Sequence, residues 1–132
     1  MSTDIVGTWR LAKGSATFED GTPAPPPYGG EKGMGRLTLN ADGRMMAVLC
    51  DGRPTLPEGQ TREYSSYCGN YTFDGKRLTT RVDATSDAGR LSGEQVREVS
   101  FEGAYMVFRH TTRRPDGRRI HREMSWEKIS DV

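Results

Sequence analysis

The sequence predicts an all-β fold: an eight-stranded antiparallel up-and-down closed β-barrel with at most a short helical turn. Two observations lead to this class. Short alternating runs rich in Val, Thr, Tyr, Phe and Met, interrupted by Gly and Pro, recur along the chain, whereas helical periodicity is scarce. The connections between these runs alternate between tight and long, as in a meander. Closing such a sheet removes the two edges that eight meandering strands would leave open.

The alternating runs place eight strands along a single domain of residues 1–132, and a short helical turn is expected near Pro57–Glu63. Three connections carry tight-turn signals, NADGR at 40–44, FDGK at 73–76 and FEGA at 101–104, because glycine accepts positive φ. The predicted strands cover about residues 5–18, 34–40, 44–51, 64–73, 76–83, 95–101, 104–112 and 119–129.

Longer connections alternate with the tight turns, at 19–33, 52–63, 84–94 and 113–118. Alternate turns of a meander lie at opposite ends, so the long connections are expected to frame one end of the barrel. A closed eight-stranded barrel can hold one small ligand, and the expected shape is a cup with its mouth at this end. In the segment GTPAPPPYGG at 21–30, prolines restrict the backbone and the glycines after them give it conformational freedom. The segment is therefore a candidate lid, and an ordinary surface loop is the alternative.

Charge and cysteine usage narrow the range of partners. The net charge of +1 across 132 residues gives no general attraction to polyanions. The segment RHTTRRPDGRRIHREMSW at 109–126 is locally basic, but no recognition helix or aromatic-studded basic sheet accompanies it, so nucleic-acid binding is not expected. Cys50 and Cys68 lack CxxC spacing and form no recognisable zinc pattern with the two histidines, so no metal site is predicted.

The chain carries no apolar run that approaches the ~20 residues of a membrane span, and no membrane partner is predicted. The N-terminal stretch MSTDIVGTW lacks the basic and apolar regions of a secretory signal, so a cytoplasmic location with free thiols is expected. A small-molecule ligand is the partner expected for a cup-shaped barrel, and a homodimer is left open.

The turn residues predict which strand positions face one another, and apolar matching tests the registers. Two-residue turns are predicted at Glu102-Gly103 and Asp74-Gly75, and a three-residue loop at 115–117 with Gly117 left-handed. The register of strand 44–51 is not determined by its turns. The predicted pairs are Val99 with Met106, Arg97 with Phe108, Gln95 with His110, Tyr71 with Leu78, Gly69 with Thr80, Tyr67 with Val82, Met106 with Trp126, Phe108 with Met124, and His110 with Arg122.

These registers predict an interior that changes from apolar to polar toward the mouth. Such a layout suits a ligand with an apolar body and a polar or anionic head. From the closed end to the mouth, the predicted layers are Val99, Met106, Trp126 and Trp9; then Phe108, Met124, Tyr71, Leu78 and Leu37; then Gln95, Arg97, His110, Arg122, Tyr67 and Cys50.

The polar side chains nearest the mouth suit the binding of an anion and the transfer of a proton. A guanidinium donates two parallel hydrogen bonds to a carboxylate, and a histidine near neutral pKa can move a proton at physiological pH. His121 falls on the opposite face from His110 and is expected in solvent. The structural alternatives are that Arg97 pairs with a neighbouring Glu and that His110 is a plain rim side chain. The candidate ligand-binding residues are Arg97, Arg122, Gln95, Tyr71, Phe108, Met124 and Leu37, and the candidate catalytic residues are His110 and Tyr67.

Several stretches resemble a known family. VGTWRL at 6–11 looks like the G-x-W motif that opens the first strand of lipocalins. GRLTLNADGRMMAVL at 35–49, YCGNYTFDG at 67–75 and EQVREVSFEG at 94–103 are similar to the bacterial lipocalin-like domain family. The resemblance implies an antiparallel barrel with a small-molecule cavity. It does not imply one activity, because similar barrels include plain binders as well as isomerases, cyclases and lyases that often work without a cofactor.

Three functions are therefore compatible with the sequence: a small-molecule binder, a cofactor-free isomerase, cyclase or lyase in the same cavity, and a structural barrel with a filled interior. The sequence contains no nucleophile elbow, phosphate loop or dinucleotide fingerprint, and no cofactor is predicted. Paired carboxylates are also absent from the predicted inner face. Hydrolase and nucleotide-dependent chemistry are accordingly disfavoured.

Overall fold

The computed structural model of the chain describes residues 4–132. Residues 1–3, part of the N-terminal stretch used for the location prediction, lie outside the described residues. Each strand pairs antiparallel with the next, and the last strand returns to pair with the first, which closes the barrel and confirms the predicted fold class. The strands are β1 (Gly7–Phe18), β2 (Gly33–Leu39), β3 (Arg44–Asp51), β4 (Tyr64–Phe73), β5 (Arg77–Thr85), β6 (Glu94–Glu102), β7 (Tyr105–Arg113) and β8 (Arg119–Ser130).

The tight and long connections lie at opposite ends of the barrel, as the meander requires. The β2–β3, β4–β5 and β6–β7 hairpins form the closed end. The β1–β2, β3–β4, β5–β6 and β7–β8 connections form the mouth. Short 3-10 turns at Pro27–Lys32 and Ala88–Arg90 lie within two of the mouth connections. Within residues 4–132, no helix is long and apolar enough to cross a membrane.

The helical turn expected near Pro57–Glu63 is wrong, because that segment forms an irregular loop with a turn at residues 58–59. The side chain of Arg62 explains the difference. Its Nη1 donates to the carbonyl oxygens of Asp51 at 2.6 Å and Arg53 at 2.7 Å. A guanidinium thus satisfies backbone acceptors of this loop, and prolines within it have no N–H to donate.

The β7–β8 hairpin confirms the register predicted for it. Gly117 has a φ of 88°, and Arg114 and Arg118 close a three-residue loop through a backbone hydrogen bond of 2.8 Å. This register pairs Met106 with Trp126, Phe108 with Met124, and His110 with Arg122.

The two-residue turns of the β4–β5 and β6–β7 hairpins begin one residue later than predicted. Glycine occupies the first central position rather than the second, with φ values of 61° at Gly103 and 99° at Gly75. Each strand pairing therefore slides by two residues. A slip of two keeps every side chain on its predicted face, because the side-chain period of a strand is two. The observed pairs are Val99 with Phe108, Phe101 with Met106, Gly69 with Val82, Tyr71 with Thr80 and, beyond a bulge after Cys68, Tyr67 with Thr85.

The half of the barrel toward the closed end is a packed core. Trp126 is 1% exposed, and its indole lies 5.9 Å from the Phe108 ring, measured between centroids. Gly35 admits the indole, because a Cβ there would lie 3.3 Å from the Trp126 ring. Trp9 donates its N–H to the Ile5 carbonyl oxygen at 3.0 Å beneath it. Both tryptophans are therefore core residues of the closed half, as predicted.

The register of β3 is resolved by its pairing with β2 and β4. Met45 is buried in the core, whereas Met46 is 59% exposed on the outer face. Cys50 is four positions from Met46 and shares its outer face, so the predicted place of Cys50 at the inner rim is wrong. Asp51, the next residue, faces inward and is buried.

Candidate ligand-binding site

The mouth of the barrel brings three arginines and a histidine together. Arg97, His110 and Arg122 lie on β6, β7 and β8, and Arg90 belongs to the 3-10 turn before β6. His110 and Arg122 are register partners, and the charges of all three arginines act on the imidazole. These four side chains are called the rim cluster.

The rim cluster contains buried polar atoms that are not satisfied within the described chain. Arg97 Nε, His110 Nδ1 and Arg122 Nε are buried and have no hydrogen-bond partner among residues 4–132. Buried polar groups without partners are uncommon in native proteins and call for an explanation such as a ligand or a catalytic role. The described chain has one other such atom, Nε1 of Trp126 in the packed core, so it is the clustering of three at one place that marks the mouth as the candidate site.

Arg97 differs from the other two arginines in its charge partners. Arg90 lies 3.7 Å from Asp87 and Arg122 lies 3.1 Å from Glu63. Arg97 donates from Nη1 to the Val96 carbonyl oxygen at 3.0 Å, and no described carboxylate lies within ion-pair distance of it. The alternative that Arg97 pairs with a neighbouring Glu is therefore not what the structure shows. Burial lowers the pKa of its guanidinium, which means that the surroundings of Arg97 disfavour its charged form.

His110 is neutral at physiological pH. Burial, followed by the charges of Arg97, Arg122 and Arg90, lowers its pKa from the ordinary 6.5 to about 3. A neutral imidazole has one N–H donor and one lone pair, so it can hydrogen-bond either to an acceptor or to a donor of a ligand.

A seam between β6 and β7 leads to the rim cluster from the side of the barrel. The ladder between these strands ends at the Glu98–Arg109 pair, and within the described structure residues 94–97 and 110–113 are not paired with each other. Two grooves of about 570 and 360 Å³ open at this seam. Both are lined by Arg97 and His110, together with Val96 and Thr111, so a ligand can reach the rim cluster between the strands.

A strap covers the mouth over β1, β2 and β3. Residues 23–32 are fastened at both ends, where Ala24 donates its N–H to the Ala16 carbonyl at 3.0 Å and Lys32 accepts from Gly52 at 2.9 Å. Tyr28, 5% exposed, inserts into the core between these ends. Burial raises the pKa of its phenol. These residues are called the mouth strap.

Two carboxylates also reach the mouth, although none was predicted on the inner face. Asp51 is 1% exposed and accepts from Arg53 at 2.6 Å, and the Arg53 guanidinium holds its pKa below the usual range. Glu63 contacts Arg122 and the mouth strap. Each carboxylate is therefore paired with an arginine. A hydrolase site would instead need carboxylates that are free to act as general acid and general base.

The structure brings five predicted site residues together at the mouth. Gln95 and Tyr67 join Arg97, His110 and Arg122 through Arg90, whose Nη1 lies 3.5 Å from the Gln95 Oε1 and whose guanidinium lies 5.6 Å above the Tyr67 ring centroid. Their role in binding stays a prediction, and so do the catalytic roles of His110 and Tyr67.

The other four predicted contacts lie deeper. Phe108 and Met124 form the layer directly beneath the rim cluster, and Leu37 is fully buried in the core. Tyr71 lies at the closed end, where its hydroxyl donates to the Asn40 carbonyl oxygen at 2.7 Å. The grooves at the seam are not lined by these four residues. Their expected role as walls for an apolar ligand body stays a prediction.

Sequence reasoning missed Arg90, Tyr28 and Glu63. All three belong to the mouth connections, where side-chain direction has no period to follow. Only Tyr28 carried a signal, because it follows three prolines and precedes two glycines in the segment identified as a candidate lid.

Other side chains of the basic segment make contacts outside the rim cluster. Arg118 stacks 3.6 Å above the Phe18 ring centroid, and Arg119 lies 3.8 Å from Glu19. His121 is exposed and contacts the Thr111 hydroxyl at 2.9 Å, which confirms its predicted outward direction.

A closed eight-stranded up-and-down barrel can hold one small ligand, and polar side chains at its mouth suit such a site. The lipocalin-like domain family matches residues 6–129, and the chain belongs to that family. No curated protein matches the sequence. Family membership therefore indicates small-molecule binding in a cavity and leaves the ligand to be inferred from the site itself.

Proposed function

We propose that the protein binds a small organic anion, with its carboxylate or equivalent group held by Arg97 and Arg122 and a neighbouring polar group held by His110. The observation that carries this proposal is the set of three buried, unsatisfied atoms around a guanidinium that has no carboxylate partner in the described chain. An anion would supply the missing acceptor and offset the buried charge, and the planar fork of arginine suits a carboxylate.

The rest of the ligand is proposed to be largely apolar. Phe108 and Met124 provide the apolar surface immediately beneath the cluster, while Gln95 and Tyr67 border it. Leu37 and Tyr71 would contact only a ligand long enough to displace packed core side chains. A compact ligand, such as an aromatic or short branched acid, fits this arrangement better than a long chain.

The proposal is tested with a pair of fluorescent probes that share their rings and differ in charge: anionic anilinonaphthalenesulfonate and neutral N-phenylnaphthylamine. Arg97→Gln is expected to weaken binding of the anionic probe by roughly tenfold to a hundredfold, the loss that accompanies one charge-assisted contact. Binding of the neutral probe should change little. Arg81→Gln, which removes an exposed arginine from the outer face of β5, is the matched control. Equal effects of the two variants would refute an anion site at Arg97.

A second candidate function is cofactor-free proton transfer on the same anion, as in an isomerase, cyclase or lyase. The observation that favours it is the neutral, unsatisfied Nδ1 of His110 beside two guanidiniums. A bound anion would offset the arginine charges and raise the pKa of His110, so the imidazole could accept a proton from the substrate while a guanidinium stabilised developing oxyanion charge.

This alternative predicts catalysed deuterium exchange at carbon next to a carbonyl in some member of a panel of small oxo acids, followed by proton NMR in heavy water. His110→Gln should abolish exchange and leave binding of the anionic probe in place, and Tyr67→Phe tests the second candidate group. Exchange that survives in both variants would rule out these residues as the proton carriers.

A further inference from the structure

Glu63 joins the rim cluster to the mouth strap with both of its carboxylate oxygens. Its Oε2 accepts from the Arg122 Nη2 at 3.1 Å. Its Oε1 accepts from the backbone N–H of Tyr28 at 2.7 Å. The same carboxylate therefore contacts an arginine of the proposed site and the residue that closes the mouth.

The conformation of the mouth strap shows that Tyr28 is held in place by its contacts. Tyr28 has φ 54° and ψ 36°, a left-handed conformation that costs a non-glycine residue energy. Three prolines precede it, and the two glycines that follow have φ values of 78° and 72°. Burial of the ring and the hydrogen bond to Glu63 compensate for this conformation. Loss of the Glu63 contact would favour release of the strap.

We propose that Glu63 is an internal counter-anion that determines ligand specificity: it occupies the position of a ligand's anionic group at Arg122, and its displacement by the ligand releases Tyr28. This inference rests on the proposed function, because it requires that the ligand anion reach Arg122. Arg97 has no competing carboxylate in the described chain, so it would make the first contact.

The proposal explains how the site would select by charge. A neutral ligand cannot compete with Glu63 for the guanidinium, so Arg122 and Tyr28 would stay in their present positions. An anion can replace Glu63 at Arg122, because it offers the same acceptor and charge. Opening of the strap would thus be coupled to recognition of the anionic group.

The test compares Glu63→Gln with Glu58→Gln, using the anionic and neutral naphthyl probes. Glu58 is an exposed carboxylate of the same loop, so both variants change the net charge equally. Glu63→Gln is expected to tighten binding of the anionic probe by about tenfold, because the competing charge is gone. Neither variant should change binding of the neutral probe. Equal tightening in both variants, or weakening in Glu63→Gln, would overturn the proposal.

A ligand-free measurement separates this proposal from the proposed function. Hydrogen exchange of the Tyr28 amide should be at least several-fold faster in Glu63→Ala than in Glu58→Ala, since only the former removes the acceptor at 2.7 Å. If probe binding does not depend on Arg97, the proposed function fails and the specificity role fails with it, whatever the exchange rates. If binding depends on Arg97 and Tyr28 exchange is equal in the two alanine variants, only the inference about Glu63 is overturned.

Discussion

Replacing Arg97 with methionine is expected to raise the free energy of unfolding by about 1–2 kcal/mol, although it removes the central contact of the proposed site. The side chain of Arg97 is partly buried, its Nε is buried and unsatisfied, and no carboxylate of the described chain lies within ion-pair distance of it. An apolar side chain of similar length fills the same space without that desolvation cost. Urea denaturation at pH 7 measures the change, and the slope with denaturant should stay constant.

Arg81→Met is the control for this prediction, because Arg81 is exposed on the outer face of the same barrel. Its replacement should leave stability within about 0.5 kcal/mol of the wild type. A gain at Arg97 together with lost binding of the anionic probe would show that stability is sacrificed for function at this position. Destabilisation by Arg97→Met would contradict the account, since it would mean that the empty protein already satisfies this charge.

Acid is expected to destabilise the protein through His110 well above the range in which carboxylates titrate. The pKa of His110 is lowered from 6.5 to about 3 by burial and by its arginine neighbours. Between these values the unfolded chain binds a proton that the folded protein excludes. The associated stability is therefore complete above pH 6.5 and declines as the pH falls, by about 1.4 kcal/mol per pH unit. At pH 5 the expected loss is about 2 kcal/mol.

His110→Phe keeps a ring in this position and cannot be protonated, so it should abolish the loss between pH 7 and 4.5. His121→Phe is the matched control, because His121 is exposed on the outer face, and it should keep the wild-type slope. Measurements stay above pH 4.5 because carboxylates such as Asp51, whose pKa is lowered by its arginine partner, lose their contribution only at lower pH. An identical slope in wild type and His110→Phe would contradict the assigned environment of His110.

The barrel itself could be predicted because its determinants are local. Strand alternation has a period of two, and the three-residue loop ending at Gly117 set the β7–β8 register correctly. That register placed His110 opposite Arg122, which is the basis of the site. In the β6–β7 hairpin the predicted turn was one position early, because Gly103 takes the first rather than the second central place. The even slip preserved the inward faces of Arg97 and Val99.

The mouth could not be predicted because it depends on contacts between residues far apart in the chain. Glu63 bonds to Tyr28 and Arg122, which lie 35 and 59 positions away. Neither contact leaves a pattern in the sequence around Glu63. The opening of the seam beside Arg97 is likewise a property of how two strands diverge, and residue alternation reports only which face a side chain takes.

The central claim is that a ligand places its anionic group at Arg97 and a neighbouring polar group at His110, and NMR of these two side chains tests it most directly. Titration with anionic anilinonaphthalenesulfonate should shift the Arg97 Nε–H and the His110 ring signals together and saturably, while neutral N-phenylnaphthylamine should leave both in place. The exposed apolar residues Met34, Met46 and Val48 on the outer faces of β2 and β3 offer the competing surface. Shifts confined to those residues with both probes, and none at Arg97 or His110, would contradict the account.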